Sequence, residues 1–519
     1  MARGLLALLF AGVTVALKAV RDDLGYSGVP LPDTGNDVLY TLDRLAPSNR
    51  EQPLTELKVT DNVGQSLIMK VHYDLALLLI GFVAVDLRRE IGWSISGKYV
   101  QALQRQAAAA APTVCCPVRT PNPEEANKIL KSGSVNLVSA RAGSVFMAPV
   151  IVGGQDFYLV VDSGSSDPWL VTSDFACIDS DDGTSLDQAD CNFGPAYNSS
   201  RSSTYRVLPN ENFNISYSDG ETLTGSMGYE SFTMGGINVP SQEFAVVDYA
   251  GWSGDTISSG LVGFAYMSLT SAYPGSDPHQ DGEESALTYN PLFYNMFQNE
   301  SVAPVFTLAI NRDYNNGGVL ALGGVPNIPY SPGFASTPII PWMLNASSGA
   351  WVYQFYTIVI EGFAFSAKQN AQFNVLGLPN SRKTGLLGNG TQAIVDSGTS
   401  LVYVDNATIA TPVNLAFTPP AWYDSHYNTW MVQCNAIPPL FGVAISNKIF
   451  YANPVDMILY QNETTCYSGI QGSESKLTIL GDVWMKSVLC VFDIGAEMMR
   501  FAAREFSGLT PVATKKPNT

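Results

Sequence analysis

Histidine is scarce in this chain, which has three in 519 residues, at positions 72, 279 and 426. The three stand at no metal-ligand spacing to one another, and the sequence contains no Cys-X2-Cys pair. Both absences argue against a zinc site. With so few histidines a Ser-His-Asp triad is not expected either. We therefore expect chemistry that uses no metal and no cofactor.

Positive charge is also in short supply, with 28 Lys and Arg against 46 Asp and Glu and a net charge of −18. Residues 1–132 hold 14 basic and 13 acidic side chains, whereas residues 133–519 hold 14 and 33. The long acidic part repels nucleic acid and anionic membrane, and protonation of its carboxylates relieves self-repulsion at low pH. We expect no nucleic-acid partner and tolerance of an acidic medium.

No apolar run in the sequence is long enough to cross a bilayer. Residues 1–19, with Arg3 and an apolar run at 5–17, predict a secretory signal peptide, and a buried helix is the alternative. The apolar stretch at 75–85 is too short to span, and the polar residues 511–519 lack the features of a lipid-anchor signal. We expect a secreted, extracellular protein, with the vacuole as the alternative, and no stable membrane anchor.

One short pattern occurs twice, as Phe157-Tyr-Leu-Val-Val-Asp162-Ser-Gly-Ser-Ser166 and as Gln392-Ala-Ile-Val-Asp396-Ser-Gly-Thr-Ser400. Each copy predicts a buried strand that delivers an aspartate into a turn where glycine allows a sharp bend. A single copy is best explained as an Asx turn, because Asp, Ser and Gly dominate turns. Two copies 234 residues apart instead predict two homologous halves that each contribute one carboxylate.

Both copies resemble the motifs of the pepsin-like aspartic proteases, whose lobes each carry Asp-Thr/Ser-Gly-Ser/Thr. The resemblance extends from about residue 146 to about residue 503 and is closest to the secreted fungal members. Three positions depart from the family pattern: Ser163 replaces the usual threonine, Pro168 precedes Trp169, and Ser218 replaces a glycine. Further family features follow in the expected order, namely Trp169, Tyr217, Gly260-Leu-Val-Gly263, Ile479-Leu-Gly-Asp482 and Val491-Phe-Asp493.

The resemblance implies an all-β, bilobal pepsin-like fold with a cleft between two pseudo-twofold-related lobes. Short Val-, Ile-, Tyr- and Phe-rich runs cut by Gly, Asn, Asp and Pro agree with it. We expect a monomer divided into a signal peptide (1–19), a pro-segment (20–132), an N-terminal lobe (133–330), a C-terminal lobe (331–510) and a polar tail (511–519). In the pro-segment, Lys98, Lys128 or Lys131 is expected to cover the active carboxylates, and the sequence favours none of them.

By the same resemblance, Asp162 and Asp396 are the catalytic pair. Gly164 and Gly398 are expected to allow close backbone approach, and four hydroxyl groups are expected to bond the carboxylates: those of Ser163, Ser165, Ser397 and Thr399. Substrate binding is assigned to Gly164, Gly398, Thr399 and the flap residues Tyr217, Ser218, Asp219 and Gly220. A cross-strand aromatic pair is the structural alternative for Tyr217, and a core position is the alternative for Trp169.

Seven cysteines suit an oxidising compartment. The family resemblance implies disulfides between Cys177 and Cys191 and between Cys434 and Cys466. Cys490 is expected to be a buried thiol, and the adjacent pair at positions 115 and 116 is expected to leave with the pro-segment. Seven Asn-X-Ser/Thr sequons all fall after residue 132 and predict a glycoprotein, at Asn198, Asn214, Asn299, Asn345, Asn389, Asn406 and Asn462.

The function predicted from these features is a secreted acid endopeptidase, made as a zymogen, that acts on protein or peptide substrates by general acid/base activation of water. The alternative is a non-catalytic relative that binds a partner protein or a glycan in its cleft. A glycosidase with paired carboxylates is a third class. Repeated Asp-Ser-Gly turns argue against the glycosidase, and the presence of Asp162, Asp396 and Tyr217 argues against the non-catalytic relative.

Overall fold

The computed structural model describes residues 54–60, 66–72, 94–95, 133–141, 143–180, 182–282, 285–299, 301–313, 316–344, 351–368, 371, 390–460, 465–473 and 477–504. The predicted signal peptide, the apolar stretch at 75–85, the three candidate pro-segment lysines, the cysteines at 115 and 116 and the polar tail lie outside these residues. So do the sequons at 345, 389 and 462. Contacts group the described residues into two units: residues 133–342 with 353–504, and residues 54–95 with 343–344 and 351–352.

Short β-strands dominate the described residues, as the interrupted apolar runs predict. Up to residue 322 they are β1 (Leu54–Thr60), β2 (Ser66–His72), β3 (Ser94–Ile95), β4 (Gly133–Ala140), β5 (Val145–Val152), β6 (Gln155–Asp162), β7 (Pro168–Ile178), β8 (Ser185–Leu186), β9 (Arg206–Ser216), β10 (Thr222–Met234), β11 (Ile237–Gly251), β12 (Gly260–Gly263), β13 (Ala272–Pro274), β14 (Val305–Asp313) and β15 (Asn316–Leu322).

The strands continue to the end of the described chain. They are β16 (Ala335–Pro338), β17 (Met343–Leu344), β18 (Trp351–Val352), β19 (Thr357–Ile360), β20 (Gly362–Ser366), β21 (Thr391–Val395), β22 (Val402–Asp405), β23 (Trp422–Asp424), β24 (Thr429–Gln433), β25 (Leu440–Ile445), β26 (Lys448–Tyr451), β27 (Ile458–Tyr460), β28 (Thr465–Ser468), β29 (Ile470–Ser473), β30 (Ile479–Leu480), β31 (Val488–Asp493) and β32 (Met498–Ala503).

Helices are few and short in the described ranges. The α-helices are α1 (Leu292–Gln298), α2 (Thr411–Leu415) and α3 (Asp482–Met485), and a π-helical turn spans Asn406–Ala410. None of them is long and apolar enough to cross a membrane. Single 3₁₀ turns lie at Gln188–Cys191, Ser199–Arg201, Met267–Leu269, Pro278–Gln280 and Pro454–Met457.

The smaller unit contains a three-stranded antiparallel sheet in the order β2-β1-β3, together with the antiparallel ribbon β17-β18. The larger unit is built on one long sheet in the order β13-β9-β10-β11-β7-β12-β6-β5-β4-β15-β14-β31-β32-β16. Strand β6 shows why its sequence folds this way: Phe157, Leu159 and Val161 are buried while Asp156 and Tyr158 are exposed. This alternation buries one face of the strand in the hydrophobic core.

The long sheet joins segments from both sides of residue 330. Strand β14 pairs with β31, with Leu308 opposite Cys490, and β31 continues into β32 and β16. The C-terminal strands therefore complete a sheet that begins in the first half of the chain. The predicted lobe boundary at residue 330 remains a prediction.

Within the described part of the second half, three smaller sheets belong to the larger unit. They have the orders β19-β21-β30-β22-β29, β20-β25-β26 and β23-β24-β28-β27. The all-β class predicted from the sequence is confirmed, since strands form the framework of both halves.

The four cysteines that the resemblance pairs form disulfides. Cys177 is bonded to Cys191 and Cys434 to Cys466, so both predicted disulfides are confirmed. Cys490 is a buried free thiol, and burial raises its pKa well above the usual range. A thiol of this kind is unreactive, because the thiolate is the reactive form.

Candidate active site

Both motif aspartates lie where a strand ends. Asp162 is the last residue of β6, and Asp396 directly follows β21. Each strand has a parallel neighbour, with Gly263 of β12 opposite Asp162 and Leu480 of β30 opposite Val395. Equivalent strand pairs in the two halves thus hold the two aspartates.

The two carboxylates have matching hydrogen bonds. The Gly164 N–H donates to Oδ1 of Asp162 (2.7 Å), and the Ser165 hydroxyl donates to Oδ2. In the other half the Gly398 N–H donates to Oδ1 of Asp396 (2.8 Å), and the Thr399 hydroxyl donates to Oδ2 (2.6 Å). Each carboxylate plane is therefore fixed by one backbone donor and one hydroxyl from its own motif.

Ser163 and Ser397 differ from the expectation that all four motif hydroxyls bond the carboxylates. The Ser163 hydroxyl donates to the carbonyl oxygen of Val395 (3.1 Å), and the Ser397 hydroxyl donates to that of Val161 (2.8 Å). Each hydroxyl also accepts the other residue's N–H, at 2.9 Å for Ser163 and 3.1 Å for Ser397. These four hydrogen bonds join the two motifs, because each serine hydroxyl bonds to the main chain of the opposite motif and not to the carboxylate of its own.

The motif glycines lie against the carboxylate of the opposite half. A Cβ atom added to Gly164 would stand 2.6 Å from the Asp396 carboxylate, and one added to Gly398 would stand 2.3 Å from Oδ1 of Asp162. The side chains of Asp162 and Asp396 are both buried. Burial, followed by the negative charge of Asp396, raises the pKa of Asp162 far above that of an ordinary aspartate.

Tyr217 lies at the start of the turn between β9 and β10, and its hydroxyl accepts a hydrogen bond from Nε1 of Trp169 (2.9 Å). Its ring packs against Trp252, with centroids 5.8 Å apart. The tip residues Ser218, Asp219 and Gly220 are exposed, and Gly220 adopts a φ of +99° that favours glycine. Oδ1 of Asp219 accepts the Glu221 N–H (3.2 Å).

Two buried acidic residues near the pair of motif aspartates were not identified from the sequence. Asp167 accepts hydrogen bonds from the Tyr289 hydroxyl (2.6 Å) and the Ser271 N–H (3.0 Å), and burial raises its pKa to about 6. The sequence feature that could have identified Asp167 is its position directly after Ser166 of the first motif.

Asp482 begins helix α3 beneath the second motif, and its N–H donates to the Thr399 carbonyl (2.9 Å). Burial raises the pKa of its carboxyl, with the charge of nearby Lys486 opposing the shift. The run Ile479-Leu-Gly-Asp482 was noted as a family feature, but the sequence did not show that this carboxyl is buried. Within the described residues no group of three or more His, Cys, Asp and Glu side chains has a metal-binding arrangement.

Comparison with known proteins gives a consistent result. The family model of the eukaryotic aspartyl proteases matches residues 146–504, which is more than half of the chain. A probable aspartic-type endopeptidase of Aspergillus fumigatus is 38% identical over 390 residues, covering 73% of this chain and 83% of the relative. Secreted aspartic protease 8 of Candida albicans is 25% identical over 390 residues (74% and 82%). Human gastricsin is 25% identical over 358 residues (67% and 78%).

Proposed function

This chain belongs to the eukaryotic aspartyl protease family and is an aspartic-type endopeptidase, and on that premise we propose that it is a secreted acid protease whose catalytic pair is Asp162 and Asp396. The observation that carries the proposal is the matched environment of the two buried carboxyl groups. Each has one backbone and one hydroxyl donor, and each lies against the glycine of the other motif.

The paired carboxyl groups share one proton, because two neighbouring negative charges are unfavourable when both are buried. The ionised member takes a proton from a water molecule between them, and that water attacks the carbonyl carbon of the peptide bond. The protonated member donates its proton to the carbonyl oxygen, which gives a neutral tetrahedral intermediate. The carboxyl group that took the proton from water then donates it to the amide nitrogen, and the other carboxylate takes a proton from a hydroxyl of the intermediate. The C–N bond breaks, the amine and acid products leave, and the pair again holds one proton.

The surroundings of the pair suit this chemistry. The donors from Ser165 and Thr399 keep each carboxylate in one orientation, so little rearrangement is needed when the proton moves. Tyr217 is placed by Trp169 to close over a bound peptide and exclude water. A relative of this chain from Candida albicans is named a secreted aspartic protease, which supports export of this one.

The proposed function is tested by cleavage of haemoglobin or casein at about pH 3 to 5, with and without a statine-type mimic of the tetrahedral intermediate. We expect acid proteolysis that the mimic abolishes. Activity should fade as the pH rises, because the raised pKa of Asp162 means that the shared proton leaves on the alkaline side. A correctly folded protein that binds the mimic but cleaves nothing would favour the non-catalytic alternative.

Acidification is expected to activate the precursor. Residues 1–132 carry net charge +1 and residues 133–519 carry −19, so a basic pro-segment residue is attracted to the acidic body at neutral pH and is released as carboxylates protonate. N-terminal sequencing after acid treatment should find a new terminus between about residues 119 and 140. A terminus before Gly133 is favoured, because β4 pairs with both β5 and β15. Equal activity of the uncleaved protein would contradict this prediction.

Asp219 is expected to let the enzyme accept lysine beside the scissile bond, in addition to leucine and phenylalanine. A cationic side chain loses hydration in an apolar pocket, and a flap carboxylate restores part of that loss through a charge-assisted hydrogen bond. Asp219→Ala should lower kcat/KM for a lysine peptide about tenfold and spare the phenylalanine peptide.

Asp219 also accepts the Glu221 N–H within its own turn, so a second variant is needed to separate this structural role from recognition of charge. Asp219→Asn keeps that acceptor oxygen but removes the charge. It should reproduce the selective loss on the lysine peptide. Equal losses on both peptides would mean that Asp219 shapes the turn and does not recognise the charge.

A further inference from the structure

The flap is joined to a second loop by a half-buried acid. Residues 252–255 follow β11 and are here called the bracing loop. The carboxylate of Glu221, half-buried at the end of the flap turn, accepts the Ser253 N–H at 2.8 Å. The neighbouring pair Thr222 and Gly251 is the last of the β10–β11 ladder. The bond between Glu221 and Ser253 therefore extends that ladder by one side-chain hydrogen bond.

Arg141 holds the same loop from another side. It lies in the turn between β4 and β5, and its guanidinium donates to Oγ of Ser253 (2.8 Å) and to the carbonyl oxygens of Ser253 and Gly254 (2.8 Å for Gly254). A third attachment comes from the disulfide loop, where the Cys191 carbonyl accepts the Gly254 N–H at 2.9 Å. Hydrogen bonds from three separate segments thus fix the bracing loop.

The bracing loop carries the aromatic surface against which the flap tyrosine packs. The ring of Trp252 lies 5.1 Å from Trp169 and 5.8 Å from Tyr217, measured between centroids, and it stacks on Phe193 at 6.0 Å. Trp169 in turn donates its indole N–H to the Tyr217 hydroxyl. A shift of Trp252 would therefore remove a ring contact that helps to orient Tyr217.

From this geometry we propose that Glu221 and Arg141 are positioning residues for the flap, which hold Trp252 and through it Tyr217 in the conformation that closes over substrate. The proposal rests on the flap role given to Tyr217 above. Neither side chain needs to touch the substrate, since both act through the bracing loop.

The surroundings of Glu221 indicate whether its protonated or its ionised form accepts the Ser253 hydrogen bond at acidic pH. Burial, and then the negative charge of Asp219, raise the pKa of Glu221 to about 7, while the Ser253 hydrogen bond and the Arg141 charge oppose that shift. At acidic pH the group is thus mainly protonated, and its carbonyl oxygen accepts the Ser253 N–H. Glutamine has the same shape and the same acceptor oxygen, so Glu221→Gln imitates the neutral acid.

The test compares Glu221→Ala, Glu221→Gln and Arg141→Met in the mature enzyme at pH 4. Glu221→Ala and Arg141→Met should each raise KM for a peptide, and Ki for a statine-type inhibitor, about tenfold, with kcat changed less than about threefold. Glu221→Gln should behave as the wild type. Arg206→Met is the matched control, because this exposed arginine donates to Ser241 at 2.8 Å and does not contact the bracing loop.

Hydrogen exchange gives a readout that does not depend on catalysis. The amides of Tyr217 and Gly220 are bonded within the flap turn, to the carbonyls of Glu221 and Tyr217. Their exchange should be faster in Glu221→Ala than in the wild type and unchanged in Glu221→Gln. Unchanged KM, Ki and exchange in Glu221→Ala would overturn the inference, as would a glutamine variant as impaired as the alanine one. A wild-type protein without peptidase activity would instead refute the proposed function.

Discussion

Replacing either Asp162 or Asp396 with asparagine is expected to lower kcat by about a thousandfold or more while the protein still folds. Asparagine fills the same space, and each site keeps its backbone donor from Gly164 or Gly398. Its amide is too weak a base to take a proton from the attacking water and too weak an acid to protonate the carbonyl oxygen, so one member of the acid/base pair is lost. The measurement is steady-state hydrolysis of a peptide at pH 4, with folding checked by circular dichroism.

Asp156→Asn is the matched control, since Asp156 lies on the same strand β6 with its side chain exposed. It should keep wild-type activity. If Asp162→Asn or Asp396→Asn retains more than about a tenth of the wild-type kcat, the assignment of the pair is wrong.

Asp162→Asn should also change the pH dependence of stability. The pKa of Asp162 is raised in the folded state, so the folded protein keeps a proton that the unfolded chain releases above about pH 4. That contribution to stability is fully present below about pH 4 and is lost as the pH rises. The melting temperature of the variant relative to the wild type should therefore increase between pH 4 and pH 6.5. A relative decrease would show that the ionised form is favoured in the folded protein.

A single methyl group at either motif glycine is expected to remove most activity. In Gly164→Ala the new Cβ would stand 2.6 Å from the Asp396 carboxylate, and in Gly398→Ala it would stand 2.3 Å from Oδ1 of Asp162. Nonbonded carbon and oxygen atoms need more space than this, so the two carboxyl groups must move apart. A displacement of about 1 Å typically costs on the order of a hundredfold in rate, and we expect at least that loss in kcat/KM.

The same substitutions should destabilise the fold by only about 1–3 kcal/mol, the usual cost of overpacking. Gly324→Ala provides the control, since no heavy atom lies within 4 Å of its added Cβ. Activity within threefold of the wild type in both motif variants would mean that the carboxylates tolerate displacement. The shared-proton arrangement would then need revision.

Local sequence was sufficient to predict the strand class and the position of both motif aspartates, whereas the flap turn that holds Tyr217 was inferred from the family resemblance. The strand class and the aspartate positions depend on neighbours within about ten residues, such as the alternation along β6 or the Ser-Gly after Asp162. The two disulfides were inferred from family resemblance and are present as expected.

Contacts between distant segments could not be predicted in this way. Ser163 finds its partner at Val395, in the other half of the chain, so its hydroxyl does not reach the nearby carboxylate. Glu221, Ser253 and Arg141 meet only because three separate turns converge. The burial of Asp482 depends likewise on packing around helix α3, and no periodicity in its own segment indicates it.

The pairing of β14 with β31 also affects how the protein is made. Leu308 lies opposite Cys490, and a ribosome adding about 5–20 residues per second needs roughly 10–40 s to make the chain between them. During that interval β14 has β15 beside it but presents its other edge unpaired. An open, apolar strand edge readily pairs with other chains. Aggregation is therefore favoured during this interval of biosynthesis, and strand β31 ends the exposure of the β14 edge when it emerges and docks.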